Sequence, residues 1–236
     1  MSLNLERDVL CIIPCRMGSK GIPRKNLCKV GGKPLLQRAI EYALDLTPNV
    51  VVSTESAEAA ALAASWGIRL AIAAYPPQFH GDDSKAADVW KHAWAGAEQM
   101  LGRRFEVSMY LEPTSPCRDR WMATEAFALL VTHPDEVDEV WTMEEVPAPY
   151  RAARQYEVVH GVLYPAQTAF EGLPRQKMPK TLVKNGGVYC ARRDSVLLSS
   201  QHSQIMPLVT RHLVNIDTLD DLAEADRALS EKEAFA

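Results

Sequence analysis

Apolar positions along the chain follow two different periods. Residues 9–13 (V-L-C-I-I) form an unbroken apolar run with two β-branched isoleucines, the pattern of a strand buried on both faces. After a Gly31-Gly32 turn, Leu35, Leu36, Ala39, Ile40, Ala43 and Leu44 fall at helical spacing as far as Pro48. Pro34 suits the first helical position. Residues 49–54 (N-V-V-V-S-T) predict a second buried strand. Ser56 can cap an alanine-rich helix over 57–66 that Gly67 ends, and residues 69–73 predict a third strand. An order of β-α-β-α-β with short links predicts a mostly parallel sheet with helices on both faces.

The second half continues less regularly. Residues 75–83 (Y-P-P-Q-F-H-G-D-D) are rich in breakers and read as a loop. A helix over 84–101 and a strand over 106–111 follow. Pro113, Ser115 and Pro116 then break the chain, Asp119 can cap a helix to Val131, and 138–143 predicts another strand. Ligands in open α/β sheets sit beyond the carboxyl ends of the strands, so the loops after Ile13, Ala73 and Leu111 should surround one crevice. From about 147 to 184 the prolines at 147, 149, 165, 174 and 179 and the alternating run 156–163 suggest an antiparallel hairpin, with a mobile surface insertion as the alternative. Residues 188–191 and 212–216 look like returning strands, and 218–229 a closing helix with acidic residues in its first turn. The expected fold is one three-layer α/β domain over 1–236 with an inserted arm at about 147–184.

Composition narrows the function. Twenty-six basic and 30 acidic residues among 236 give a net charge of −4, which argues against a broad nucleic-acid footprint. Five cysteines, odd in number and without C-x-x-C spacing, read as reduced thiols of a cytoplasmic protein. No apolar run reaches membrane-spanning length and no signal-peptide pattern appears, so no membrane partner is expected. The six histidines show no metal spacing, and the five tryptophans read as core or interface packing.

Against this mildly acidic background the segment after the first strand stands out. Arg16, Lys20, Arg24 and Lys25 cluster there with Gly18 and Gly21. Glycines admit backbone N–H groups close to an anion and the side chains neutralise it, which suits polyphosphate. The loop is neither G-x-x-x-x-G-K-[ST] nor G-x-G-x-x-G. Residues 13–26, I-P-C-R-M-G-S-K-G-I-P-R-K-N, closely resemble the first motif of the acylneuraminate cytidylyltransferases, I-P-A-R-x-G-S-K-G-I-P-x-K-N. V-S-T-E at 52–55, L-E-P-T-S-P-C-R at 111–118, N-G-G-V-Y at 185–189 and N-I-D-T at 215–218 resemble later segments of that family, in the same order.

The resemblance implies a nucleotide-diphospho-sugar transferase-like fold with a small antiparallel dimerisation arm, and a homodimer. It implies that CTP activates a 2-keto sugar acid, giving a CMP-sugar and pyrophosphate with Mg²⁺ as cofactor. Arg16, Lys25 and Asp217 become the catalytic candidates. Arg16, Met17, Gly18, Ser19, Lys20, Gly21, Lys25, Asn26, Tyr75 and Asp82 become the nucleotide-binding set. Glu112, Thr114, Ser115, Arg175, Asn185 and Gly186 become the sugar-binding set, with Arg175 the leading partner for the sugar carboxylate. Asp217, Asn215 and Glu112 are the metal candidates. Arg24 is expected to face solvent. Several positions depart from the family. Asn215 replaces an acid, Glu112 a glutamine, Tyr75 an arginine and Gln78 an acid, and Val183 stands where a second sugar-facing arginine is common. These leave open another nucleotide or sugar, or a catalytically weakened nucleotide-binding homologue.

Overall fold

A computed structural model describes residues 3–19, 21–68, 70–72, 85–166, 174–177, 179–198 and 203–234. In chain order the elements are helix α1 (Leu5–Asp8), strand β1 (Val9–Pro14), the hairpin β2 (Lys29–Val30) and β3 (Lys33–Pro34), α2 (Leu35–Leu44), β4 (Val50–Ser53), α3 (Ala57–Ser65) and β5 (Leu70–Ile72). Then come α4 (Ala86–Leu101), β6 (Val107–Tyr110), α5 (Arg120–Thr132), β7 (Glu139–Glu145), the hairpin β8 (Tyr156–Val159) and β9 (Val162–Pro165), β10 (Leu182–Arg192), α6 (Arg193–Leu197), β11 (Ile205–Val209) and α7 (Leu219–Ala234).

Seven strands form the central sheet in the order β11-β7-β10-β6-β1-β4-β5. β1 pairs in parallel with β4 and β6, β4 with β5, and β7 with β11. β10 runs antiparallel to both β6 and β7. The chain leaves β1 outward through β4 and β5, then returns to lay β6 on β1's other edge. That reversal is a topological switch point, where an open α/β sheet leaves a crevice at the carboxyl ends of its strands.

Successive strand residues point to opposite faces, and β1 is buried on both. Cys11 and Ile13 pack with Leu36 and Ile40 of α2 and Met122 and Ala126 of α5. Leu10 and Ile12 pack with Trp90, Ala93 and Trp94 of α4. This is why residues 9–13 carry no polar alternation. A third cluster lies off the sheet, where Ile22, Val30, Leu35, Ile216, Ala225 and Leu229 press α7 against the segment that follows β1.

Four expectations need correction. Residues 212–216 form no strand; Leu213, Val214 and Ile216 alternate because they dock into the core clusters. The strand is β11, whose Pro207 hid it; proline is tolerated because β11 is an edge strand. Pro34 precedes α2 rather than opening it, and Asp119 stands at the cap of α5 without a capping bond, its carboxylate accepting from Arg211 Nη2 at 3.1 Å. β10 starts at Leu182, well before 188, and its register shifts between Lys184 and Tyr189. The hairpin expected over 156–163 is present as β8–β9, turning at His160 and Gly161, both with positive φ. The loop 75–83 lies outside the described residues.

Ile12 is fully buried between the sheet and α4. Ile12→Ala is expected to cost about 2–5 kcal/mol in equilibrium urea unfolding without changing the far-UV circular dichroism; a loss near zero would contradict this packing.

Candidate active site

The segment after β1 folds back over the end of the sheet and is fixed by side chains on both flanks. Asn26 Nδ2 donates to the Arg16 carbonyl (2.9 Å) and the Met17 N–H donates to Glu55 Oε1 (2.6 Å). Lys25 Nζ donates to the Ile216 carbonyl (2.7 Å) and to Asp217 Oδ1 (2.8 Å). Behind them, burial and then the charge of Glu55 push the Cys15 thiol up to about 12. Cys15 is therefore an inert filler rather than a nucleophile.

Asp217 is held from the other side by the start of α7. Asp221 Oδ2 accepts from the N–H groups of Asp217 (2.9 Å) and Thr218 (2.7 Å), and Thr218 Oγ1 accepts from the Asp221 N–H (3.2 Å). This is a reciprocal cap, and the two N–H groups hold the Asp221 carboxyl below its ordinary value. The Asp217 side chain itself is 76% exposed, whereas that of Lys25 is 14% exposed. Their contact thus presents an accessible carboxylate next to a largely covered ammonium. Gly21 lies so close that a Cβ there would sit 2.7 Å from the Asp217 carbonyl oxygen.

The opposite wall follows β6. Arg118, buried, donates through Nε to Gly187 O (2.9 Å) and through Nη2 to the carbonyls of Glu112 and Gly186. It pins the loop after β6 to the irregular stretch of β10. Gly186 has φ +70°, and a Cβ there would fall 2.5 Å from Ser115 Oγ, 3.1 Å from Glu112 Oε2 and 3.4 Å from Asn215 Nδ2. Only glycine fits where these three side chains converge. Burial raises the Glu112 carboxyl above its ordinary value, opposed by the charges of Arg118 and Lys184.

Two cavities meet here. A cleft of about 230 Å³ is lined by Arg16, Ser19, Lys25, Asn26, Glu112 and Thr114 among others. A chamber of about 470 Å³ is walled by Trp90, Trp141, Lys184, Tyr189 and Glu139. Tyr110 and Glu112 line both, so they form the boundary between them. A cationic cleft opening beside an aromatic chamber can hold a polyphosphate next to a second, less charged molecule.

The structure brings many of the sequence candidates together. Arg16, Ser19, Lys25, Asn26, Glu112 and Thr114 line the cleft, with Met17, Gly21 and Asp217 bordering it through the contacts above. Gly18 is exposed, and Arg24 is ion-paired with Glu58 on the surface. Ser115 and Asn185, expected in the sugar-binding set, are buried and hydrogen-bonded within the wall. The Ser115 hydroxyl donates to Asn185 O (3.4 Å) and Asn185 Nδ2 donates to Thr210 Oγ1 (2.7 Å). They hold the wall on which Gly186 sits. Lys20, Tyr75, Gln78, His80, Asp82 and the side chain of Arg175 lie outside the described residues. Glu112, Asn215 and Asp217 supply two carboxylates and an amide, and among the described residues no three His, Cys, Asp or Glu are grouped so that they could hold a metal ion by themselves.

Sequence reasoning missed Arg118, Glu55, Tyr110 and Lys184, and took Trp90 and Trp141 as packing alone. Arg118 closes the quoted L-E-P-T-S-P-C-R segment, which was a usable signal. Trp141 stacks edge-on to Tyr189 with ring centroids 5.5 Å apart, and Trp90 tilts against Tyr110 at 5.3 Å. No local signal marks these rings as cavity walls, because four separate elements contribute them.

Residues 10–95 match the family model described as cytidylyltransferase. An N-acylneuraminate cytidylyltransferase of Streptococcus agalactiae serotype V is 25% identical over 95% of this chain and 55% of its own length. One from Escherichia coli O18:K1:H7 is 34% identical over 54% of this chain and 29% of its own. The chain spans about half the length of the curated relatives it matches. A CMP:2-keto-3-deoxy-manno-octonic acid synthetase solved in complex with CTP shares the fold, with a TM-score of 0.69 at 18% identity, over 95% of this chain and 99% of that one.

Arg118 is the strut of the second wall. Arg118→Met leaves buried carbonyls without donors and should lower stability by about 3 kcal/mol or more in urea unfolding; a change under about 0.5 kcal/mol would show that the strut carries nothing.

Proposed function

We propose that this chain, a divergent member of the cytidylyltransferase family, uses CTP to activate a 2-keto sugar acid, releasing pyrophosphate and forming a CMP-sugar. The observation that carries the reading is the contact of Lys25 with Asp217, which closes a cationic cleft at the switch point directly beside a separate chamber. In the proposed reaction the anomeric hydroxyl of the sugar acid attacks the α-phosphorus of CTP. A new P–O bond forms as the hydroxyl proton is released to solvent, the bond to the bridging oxygen breaks, and pyrophosphate departs with that electron pair.

Such a transfer asks the protein for fixed positive charge and positioning rather than for a nucleophile. Arg16 and Lys25 supply the charge on the nucleotide side. Lys25 has three donors, of which Ile216 O and Asp217 Oδ1 take two. Asn26 keeps Arg16 in place through its carbonyl. Glu112 and Tyr110, at the boundary of the two cavities, stand where hydroxyl and phosphate would meet.

The donor set also suits Mg²⁺, which takes hard oxygen ligands and is commonly held by one or two carboxylates plus waters and phosphates. Asp217, with its accessible carboxylate, is the leading ligand, Glu112 the second, and Asn215 offers an amide oxygen without charge. When bound, the ion supplies charge neutralisation on the phosphates. The β8–β9 hairpin exposes Tyr156, Val158, Leu163 and Tyr164, an apolar surface that fits a second copy of the chain in a homodimer. No helix among the described residues is long and apolar enough to cross a membrane, and the odd, scattered cysteines fit a cytoplasmic setting.

Pyrophosphate release measured with each of four nucleoside triphosphates against several 2-keto sugar acids tests the reading. CTP with one acid should give turnover that needs Mg²⁺. Lys25→Met should lower kcat/KM roughly 10²-fold or more, the scale for losing one fixed electrostatic stabiliser. Asp217→Asn should raise the Mg²⁺ concentration needed about tenfold. Nucleotide binding without pyrophosphate release from any pair would leave a binding homologue instead.

A further inference from the structure

The larger chamber has a charge pattern that the nucleotide cleft does not account for. Among the described residues lining it, Lys184 is the one cation, and the carboxylates are those of Asp88, Glu112 and Glu139. Glu139 is already engaged: Oε2 accepts from Trp141 Nε1 (2.7 Å) and Oε1 accepts from the Ser195 hydroxyl. Asp88 is exposed in the first turn of α4, where the helix dipole favours a carboxylate. Glu112 sits at the boundary with the cleft, where the charges of both Lys184 and Lys25 act on its carboxyl.

Lys184 is held in a defined place. Its ammonium stands 5.4 Å from the centroid of the Trp141 ring, a cation–π contact. That ring cannot turn freely, since Glu139 takes its N–H and Tyr189 packs against it edge-on. An indole whose N–H is given to a carboxylate also has a more electron-rich face, which strengthens its hold on a cation. The register of β10 shifts directly after Lys184, so this side chain is presented at the edge of the regular strand. Among the described residues no carboxylate lies within ion-pair distance of it, so the ammonium remains available to an anion.

We infer that Lys184 binds the carboxylate of the sugar acid, with Trp141 and Glu139 as the positioning residues that hold it over the chamber. The inference rests on the reading given under Proposed function. With the carboxylate on Lys184, Tyr110 and Glu112 remain at the boundary with the cleft to meet the rest of the sugar. An ammonium suits this task as a point charge with three rotatable donors, which tolerates small changes in sugar pose.

Calorimetric binding of N-acetylneuraminic acid, pseudaminic acid and 2-keto-3-deoxy-manno-octonic acid, with kinetics for whichever turns over, tests it. For the acid that wild type binds best, Lys184→Met should weaken binding about tenfold or more, the scale of a charge-assisted hydrogen bond. Lys184→Arg should restore most of the affinity, and the KM for CTP should stay within about twofold in both variants. Trp141→Phe, which removes the anchor to Glu139, should weaken the same acid by about threefold. The primary amide of that acid should bind wild type and Lys184→Met equally. Equal binding of the acid to wild type and Lys184→Met would overturn the inference while turnover leaves the enzyme reading intact. Parallel loss of acid and amide would also overturn it, by showing a packing role. Failure of all three acids to bind wild type would contradict both.

Discussion

One ammonium joins the two ends of this molecule. Lys25 reaches across 191 and 192 positions of sequence to Ile216 and Asp217, and the site's geometry depends on that reach. Four cations, Arg16, Lys20, Arg24 and Lys25, lie within ten residues after β1 and would repel one another in a free turn. The fold offsets this by bringing up a carbonyl and a carboxylate from the C-terminal segment. An exposed ion pair alone contributes little, so the turn also needs the apolar cluster of Ile22, Val30, Ile216, Ala225 and Leu229 beneath it. The reciprocal cap at the start of α7 then fixes the Asp217 backbone from the opposite side.

The second wall obeys a different constraint, the burial of Arg118. Its guanidinium satisfies carbonyls on both the loop after β6 and the irregular part of β10. Because those backbones are tied together, Glu112, Ser115 and Asn215 can converge on a residue with no side chain, Gly186. Glutamate at 112 and asparagine at 215 therefore both approach the same glycine.

How much of this could be read from the sequence depended on how local each signal was. β1 was legible because a strand buried on both faces leaves an unbroken apolar run, and the cationic turn because four charges follow it directly. β11 was not, since an edge strand accepts the proline that argues against a strand elsewhere. Residues 212–216 gave the opposite error: their alternating apolar side chains dock into core clusters without joining the sheet. Ser115 and Asn185 were recognised as site positions, but their inward hydrogen bonds depend on Thr210 and on β10, which no local pattern shows. The aromatic chamber was invisible for the same reason, its walls coming from α4, β6, β7 and β10.

The central claim is that the turn after β1 grips the phosphates of a nucleoside triphosphate. Calorimetric titration of the protein with CTP and with CMP tests it most directly. If Arg16 and Lys25 hold the phosphates, CTP should bind roughly 30-fold or more tightly than CMP, as expected for additional charge-assisted contacts. Equal affinity for the two nucleotides would place the recognition elsewhere and contradict the account.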